Sequence, residues 1–360
     1  GFKVVVIAPH DSFTSKIIAE GIEYHHIDIR NYGVNPFEEI KLILQLRRLY
    51  KRIKPNMIFH YTIKPNIYGT FAAFTAKIPS IIVITGLGHL FIFRSFVVRY
   101  LTLFMYKMAC KISKEVWFLN SNDLDVFNYL HIAGTKNSVI LNSEGVNTRW
   151  FKSGGHSSQN SEIKFLFAGR LLEEKGVIHF AEAAKFISTK YPNVKFYLLG
   201  FVDESNPNSI AYTSILEWQS QGIIQYLGET SDVRPYIDDA SCLVFPSFYR
   251  EGISRILMEA ASMEKPIITT DNVGCREVVD HNITGYICKP KSTKSIIYAL
   301  EQFIHLPDED KLIMGKLGRR KMIREFEEKN IIKQYLRTIS KYIHISPTYK
   351  STHHSILTKR

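Results

Sequence analysis

The chain has 360 residues, 45% hydrophobic and 22% charged, a globular mixture that excludes wholesale disorder and any fibrous repeat. Its net charge of +12 points to an anionic partner of nucleic-acid, phospholipid or phosphorylated-substrate kind, or to no more than a solvated basic surface. Four cysteines (Cys110, Cys242, Cys275, Cys288) show neither a CxxC pair nor zinc-like spacing, which excludes a disulfide scaffold and favours a reducing compartment.

The first residue is glycine, and "FKVVVIAP" (2–9) already reads as a strand, so no signal peptide is expected in this sequence. Further apolar, β-branched runs predict strands near 24–28, 56–60, 80–84, 115–119 and 138–141. Amphipathic helical patterns separate them, the rhythm of a parallel sheet with crossover helices. The segment "HLFIFRSFVVRYLTLFMYKMACK" (89–111) falls short of a membrane span, because Arg94, Arg99 and Lys107 interrupt it. Aromatic and aliphatic residues mixed with cations can lie in a membrane interface, or form a core helix whose lysines reach out to water.

A Gly/Ser-rich stretch, "KSGGHSSQNSE" (152–162), has linker chemistry. The rhythm then repeats, with strands near 163–168, 194–199, 224–227, 242–245, 266–269 and 285–288. The expected organisation is therefore two doubly wound α/β domains, 1–153 and 154–321. One helix over 322–345 follows, packing back toward the first domain, and then a basic tail over 346–360. Residues 1–153 hold 19 Lys/Arg against 10 Asp/Glu, so the first domain carries most of the charge excess.

Two stretches carry chemistry. In open α/β sheets ligands bind beyond the carboxyl ends of strands. There, "VFPSFYREGISRILMEAAS" (244–262) runs from strand through loop into a helix starting near Ser254. Helix N-termini present free N–H groups and positive dipole, so the backbone at Gly252, Ile253 and Ser254 suits an anion or a polyhydroxyl ligand. Glu251 in the loop can accept hydrogen bonds from sugar hydroxyls. Glu259, further along the helix, would reach another part of the same ligand, and a nucleotide diphosphate sugar is long enough to need both. Taken singly, Glu259 also reads as a surface carboxylate and Glu251 as a dipole partner. The second stretch, "KFLFAGRLLEEKGV" (164–177), sets Gly169, Arg170 and Lys175 after a strand. These cations can stabilise a departing diphosphate, or Lys175 can simply pair with Glu173 and Glu174.

With "FYLLGFVDE", "IQYLGETSDV" and "GCREVVDHNITGYIC", in this order, these stretches resemble the retaining glycosyltransferases of family 4, of two-domain GT-B architecture. "HYTIKPNIYGTFAA" (60–73) and "TGLGHLF" (85–91) resemble the first domain of bacterial members that extend undecaprenyl-diphosphate-linked sugars in O-antigen, capsule or N-glycan assembly. The resemblance implies transfer of a hexose or N-acetylhexosamine from a nucleotide sugar, expected to be a UDP-sugar, to such a lipid-linked acceptor. It implies retention by front-face attack, with neither metal nor other cofactor. Arg170 and Lys175 match the pair on the donor diphosphate, Glu251 the acid on the transferred sugar and Glu259 the acid on the ribose. The backbone of Gly252 to Arg255 would line phosphates and sugar, and "NSEGVN" (142–147) resembles the interdomain hinge. His60, Lys64, Asn66, Gly86 and His89 are the expected acceptor side, with His60 or His89 orienting the hydroxyl and Lys64 meeting an acceptor diphosphate.

The resemblance further implies peripheral contact with the anionic cytoplasmic face of the inner membrane, and no nucleic-acid partner. It also implies a preceding strand, Gly/Ser-rich loop and helix ahead of "FKVVVIAP", without which the first sheet would lack a central strand. The alternatives are a nucleotide-sugar epimerase of the same fold, a donor-binding chain that transfers nothing, and a nucleic-acid binder motivated by charge alone.

Overall fold

The computed structural model describes residues 2–11, 13–29, 35–87, 96–134, 137–155, 162–203, 206–250 and 252–343. All twelve expected strands are present, each within three residues of its predicted bounds. The N-terminal half runs β1 (Val5–Ala8), α1 (Thr14–Ala19), β2 (Glu23–His26), α2 (Pro36–Ile53), β3 (Ile58–Tyr61) and α3 (Thr70–Thr75). It continues through β4 (Ser80–Ile84), α4 (Phe96–Ile112), β5 (Glu115–Phe118), α5 (Ser121–Tyr129) and β6 (Ser138–Ile140). Two parallel ladders result, β1-β2 and β3-β4-β5-β6, with no backbone pairing between them among the described residues.

Local chemistry sets these boundaries. Pro36 opens α2 with its fixed φ, the Asn35 side chain accepts from Phe37 N at 3.1 Å, and Lys54 closes the helix in a left-handed conformation. The β4 run "SIIVI" is buried along its whole length, as a parallel strand covered on both faces requires. Its side chains alternate between two cores. Ile82 and Ile84, with Val116 and Phe118 of β5, face the helical layer of α2, α3 and α4. Ile81 and Val83, with Trp117, join the larger core that continues into the second half of the chain.

That second half runs β7 (Ile163–Ala168), α6 (Val177–Lys190), β8 (Val194–Leu199), α7 (Tyr212–Ser220), β9 (Gln225–Tyr226) and α8 (Arg234–Asp239). It is completed by β10 (Cys242–Phe245), α9 (Arg255–Ser262), β11 (Ile267–Thr270), β12 (Gly285–Cys288), α10 (Thr293–His305) and α11 (Asp308–Lys321). Its six strands pair in parallel in the order β12-β11-β10-β7-β8-β9. Chain order reverses between β7 and β10, so the loops after these two strands diverge and leave a crevice at their carboxyl ends.

The end of the chain corrects one expectation. The helix predicted over 322–345 is interrupted: a π-helical turn over Met322–Phe326 is followed by extended Glu327, and α12 (Glu328–Tyr342) starts afresh. The break serves the crossing between domains. Val146 N donates to Phe326 O at 2.8 Å and Glu328 N to Val146 O at 3.1 Å, so the outgoing and returning strands of chain lie side by side. The Thr148 hydroxyl donates to the Glu327 carboxylate, which a helical Glu327 would not present in this way. Arg319 adds hydrogen bonds to the carbonyls of Thr148 (3.0 Å), Phe151 (3.1 Å) and Ser262. Residues 344–360, including the expected tail, lie outside the described residues.

Beyond the crossing, α12 returns to the first sheet. Tyr335 packs against Phe59 and Trp117 with ring centroids 5.0 and 4.7 Å away, and its hydroxyl meets that of Tyr61 at 2.8 Å. Buried Glu115 accepts from Trp117 Nε1 and Lys341 Nζ at 2.8 Å, Tyr342 OH at 3.1 Å and Thr338 Oγ1 at 3.3 Å. Burial alone would raise its carboxyl pKa, but the hydrogen bonds from Lys341, Trp117 and Tyr342 outweigh it and hold the group below its ordinary value. Its stabilisation is therefore complete above the unfolded-state pKa and disappears as pH falls through the lowered folded value. Glu115→Gln should lower stability by about 1.5–3 kcal/mol and flatten that acid limb. Urea melts of both proteins between neutral pH and about pH 2.5 check this, and parallel curves across that range would refute it.

Candidate functional site

The crevice between β7 and β10 collects most of the residues expected to hold the donor. After β7 the chain passes Gly169 (φ +150°) and exposed Arg170, then folds into a 3-10 turn at Glu173–Lys175 that ends on Gly176 (φ +82°). After β10 it passes Pro246 and Ser247 toward α9. The two loops are sewn together through one atom. Glu174 O accepts from Phe248 N at 2.9 Å, Tyr249 N at 3.1 Å and Ser247 Oγ at 3.3 Å. A β-carbon on Gly176 would collide with Pro246 O, so glycine is required there by both space and φ.

This contact places the candidate groups. Lys175 is almost wholly buried, with Nζ 5.0 Å from the Tyr249 ring centroid and 5.8 Å from that of Phe245. Aromatic faces stabilise an ammonium that burial would otherwise penalise. Ser254 occupies the N-cap position of α9 without a side-chain cap, and its backbone N–H donates to Gly274 O at 2.8 Å, so this N–H is already engaged. Gly252, Ile253 and Ser254 are buried, while Arg255 is exposed and lies 3.5 Å from Glu259. Burial lifts the Glu259 carboxyl above its ordinary range, with Arg255 pulling the other way. A ligand hydroxyl donating to Glu259 would favour its ionised form. Glu251 lies outside the described residues.

The expected acceptor side divides. His60 is enclosed rather than turned to a cleft: its ring contacts Tyr50 OH at 3.0 Å and Thr70 Oγ1 at 3.1 Å, and burial pushes its pKa down to about 3. Asn66 is equally enclosed, donating to Val83 O at 3.0 Å and Tyr106 OH at 2.7 Å. Both serve the interior of the first domain: His60 is a buried position of β3 itself, bonded to Tyr50 of α2 and Thr70 of α3, and Asn66 lies in the buried π-helical turn Pro65–Gly69 that follows. Lys64 reaches a cavity of 520 Å³ lined also by His10, His26, Lys41 and Gln45, and it pairs with Glu39 at 2.6 Å. Gly86 (φ +127°) stands at the domain interface beside Thr85. His89 lies outside the described residues. Among the described residues no group of three or more His, Cys, Asp or Glu is arranged to hold a metal ion.

The interface itself contains residues that the sequence did not single out. Arg250 reaches across to Asp123, with Nε 3.0 Å and Nη2 2.9 Å from Oδ1. Asn120 Nδ2 donates to Gly252 O at 3.0 Å, and Arg276 Nη2 to Asn122 Oδ1 at 2.9 Å. No sequence motif marks these pairs, since their members lie 127, 132 and 154 positions apart.

Two family models match the chain: Glycosyl transferases group 1 over residues 148–321 and Glycosyl transferase 4-like over residues 1–120. It is 28% identical to the Campylobacter jejuni N,N'-diacetylbacillosaminyl-diphospho-undecaprenol alpha-1,3-N-acetylgalactosaminyltransferase, covering 95% of this chain and 92% of the relative. It is 25% identical to the Escherichia coli UDP-Gal:alpha-D-GlcNAc-diphosphoundecaprenol alpha-1,3-galactosyltransferase, over 84% of this chain and 79% of the relative. Among solved structures, a glycosyltransferase from Rickettsia africae superposes with TM-score 0.77 at 16% identity, covering 95% of this chain and 90% of that one. The Anabaena Alr3699/HepE complex with UDP gives TM-score 0.76 at 15% identity, covering 94% and 92%. These likenesses establish the two-domain GT-B fold.

The loop contact gives a direct test. Gly176→Ala should cost about 1–3 kcal/mol through φ alone and also push the turn off Pro246. A lower melting temperature, with Lys175 losing its protection from acetylation by a water-soluble anhydride, is expected. Unchanged protection would show that the contact does not hold Lys175.

Proposed function

The chain belongs to the glycosyltransferases, and from that premise we propose that it moves a hexose or N-acetylhexosamine from a nucleotide sugar to a lipid-linked saccharide. The observation that carries the reading is the crevice between β7 and β10, where two loops joined at Glu174 O bring buried Lys175 and exposed Arg170 from one side and lead into α9 with Glu259 on the other. Lys175 and Arg170 neutralise charge on the departing diphosphate, a term that grows in the transition state and therefore accelerates the reaction. Glu259 binds the ribose hydroxyls, and Glu251 the transferred sugar. In this reading the anomeric configuration is retained, no metal takes part, and UDP is the nucleotide. The Anabaena complex with UDP and the Escherichia coli relative's UDP-Gal donor support the last point. The undecaprenyl-diphosphate acceptors named for two relatives support the acceptor class, with bacterial surface-polysaccharide or glycan assembly as the setting.

Thermal melting against a panel of nucleotides and nucleotide sugars tests the donor half. A ligand at 100 times its Kd adds about 2.7 kcal/mol, a shift of several degrees. Expected is a shift with UDP or one UDP-sugar, abolished in Arg170→Ala and Glu259→Ala. A folded protein that responds to no nucleotide overturns the reading. Transfer to a lipid-diphosphate disaccharide, with the product anomer read by NMR and EDTA present, tests retention and metal independence together.

A lipid-borne acceptor places the work at a membrane surface, which we assign to the cytoplasmic face of the inner membrane. No helix among the described residues is long and apolar enough to cross a bilayer. Helix α4 instead leaves Phe96 (81% exposed), Tyr100 (68%) and Phe104 (54%) on its outer surface, beside Arg99, Lys107 and Lys111 and with no acidic residue in its length. Apolar side chains flanked by cations suit the headgroup region of anionic lipid. Phe104→Glu combined with Tyr100→Glu should cut flotation with phosphatidylglycerol vesicles at least about tenfold, and the nucleotide response should remain. Equal flotation of variant and parent removes α4 from the contact.

A further inference from the structure

We infer that Asp123 is a positioning residue for transfer: from the first domain it holds, through Arg250, the loop that lines the donor crevice of the second. The order of that loop is thereby tied to closure of the two domains. The inference rests on the transfer reading for its kinetic consequence and on geometry alone for its structural one.

The loop between β10 and α9 is anchored alternately from both sides of the cleft. Its own domain holds position 249: Asn272 Nδ2 donates to Tyr249 O at 2.6 Å, and Tyr249 N donates to Glu174 O at 3.1 Å. The next described anchors belong to the opposite domain. Arg250 binds Asp123, and Gly252 O accepts from Asn120 Nδ2. The chain then returns to its own domain at Ser254, whose N–H donates to Gly274 O. A loop held this way keeps its course only while both domains contribute.

Asp123 is built for the role. It lies in the first turn of α5, its N–H donates to the capping Asn120 Oδ1 at 2.8 Å, and Asn120 Nδ2 lies 3.2 Å from its second oxygen. The residue is fully buried, whereas the Arg250 side chain is 27% exposed. A buried carboxylate without its cation is strongly unfavourable, so Asp123 is either paired with Arg250 in a closed molecule or wetted in an open one. Those are two discrete states rather than a graded contact, and a donor that needs the ordered loop favours the closed one. Burial holds the Asp123 carboxyl above its ordinary range while Arg250 draws it back, as expected of a pair that is stable only together.

Gly252 shows how close the domains come. A β-carbon there would stand 2.7 Å from Thr85 O and 2.7 Å from Leu119 Cδ1, both across the interface. Added bulk at Gly252 therefore acts as a wedge between the domains.

The experiment uses the full chain and three variants: Arg250→Gln, Arg250→Lys and Gly252→Ala. Small-angle scattering with and without UDP reads closure. Steady-state kinetics read the split between kcat and the acceptor KM, and melting temperature reports the fold. Expected are a larger radius of gyration for Arg250→Gln and Gly252→Ala than for the parent with UDP present, and kcat lower by about a hundredfold. The acceptor KM should be unchanged, and Arg250→Lys should recover part of both effects because it keeps the charge. Scattering curves identical to the parent's for both Arg250→Gln and Gly252→Ala overturn the inference. So does a loss of activity that follows melting temperature alone. If the parent transfers no sugar, the transfer reading falls and scattering by itself decides whether Asp123 and Arg250 hold the cleft closed.

Discussion

One carbonyl oxygen, Glu174 O, joins the two loops on which the candidate site depends. Parallel strands diverge where chain order reverses, and that divergence alone would leave two unconnected loops facing solvent. The three donors from Ser247, Phe248 and Tyr249 close the gap, and the absence of a side chain at Gly176 lets Pro246 come near enough for them to reach. Lys175 is carried into the crevice as a consequence, between two aromatic rings. Backbone geometry therefore carries this cation into the crevice.

The same logic extends outward. The chain crosses between its halves at 145–148 and again at 326–328, and the two crossings bind each other through backbone hydrogen bonds. Arg319 fastens the carbonyls of Thr148, Phe151 and Ser262, so the first crossing is fixed to the same domain as α9. The second crossing delivers α12 onto the first sheet, where Tyr335 and Glu115 hold it. A molecule with both crossings tied at one point can move about that point, while the contacts across the interface, Asp123 with Arg250 and Asn120 with Gly252, decide whether it is shut.

Buried polar groups mark where this architecture is under constraint. His60 and Asn66 are enclosed and hydrogen-bonded in the first domain, which makes them supports for the sheet beneath the cleft. Glu259 and Asp123 are carboxylates kept from water with a cation alongside, an arrangement that is costly unless a ligand or a closed interface rewards it. Glu115 differs, since four donors satisfy it without any ligand.

The sequence by itself determined the twelve strands, the alternation of strand and helix, and the two stretches at 164–177 and 244–262 that line the candidate crevice. These are local properties: β-branched runs, turn glycines and short-range spacing survive in a linear string. It did not determine the fate of His60 and Asn66, because whether the end of β3 and the turn that follows it face the cleft or pack beneath neighbouring helices depends on contacts with α2 and α3. The break at Glu327 was equally hidden, since helical periodicity runs on through a position whose geometry is set by Val146 and Thr148, about 180 residues away. The tertiary structure alone decided which residues meet across the cleft. Asp123 and Arg250 have no pattern in common, and only the closing of one domain on the other, which buries a carboxylate and obliges it to find a cation, brings them together.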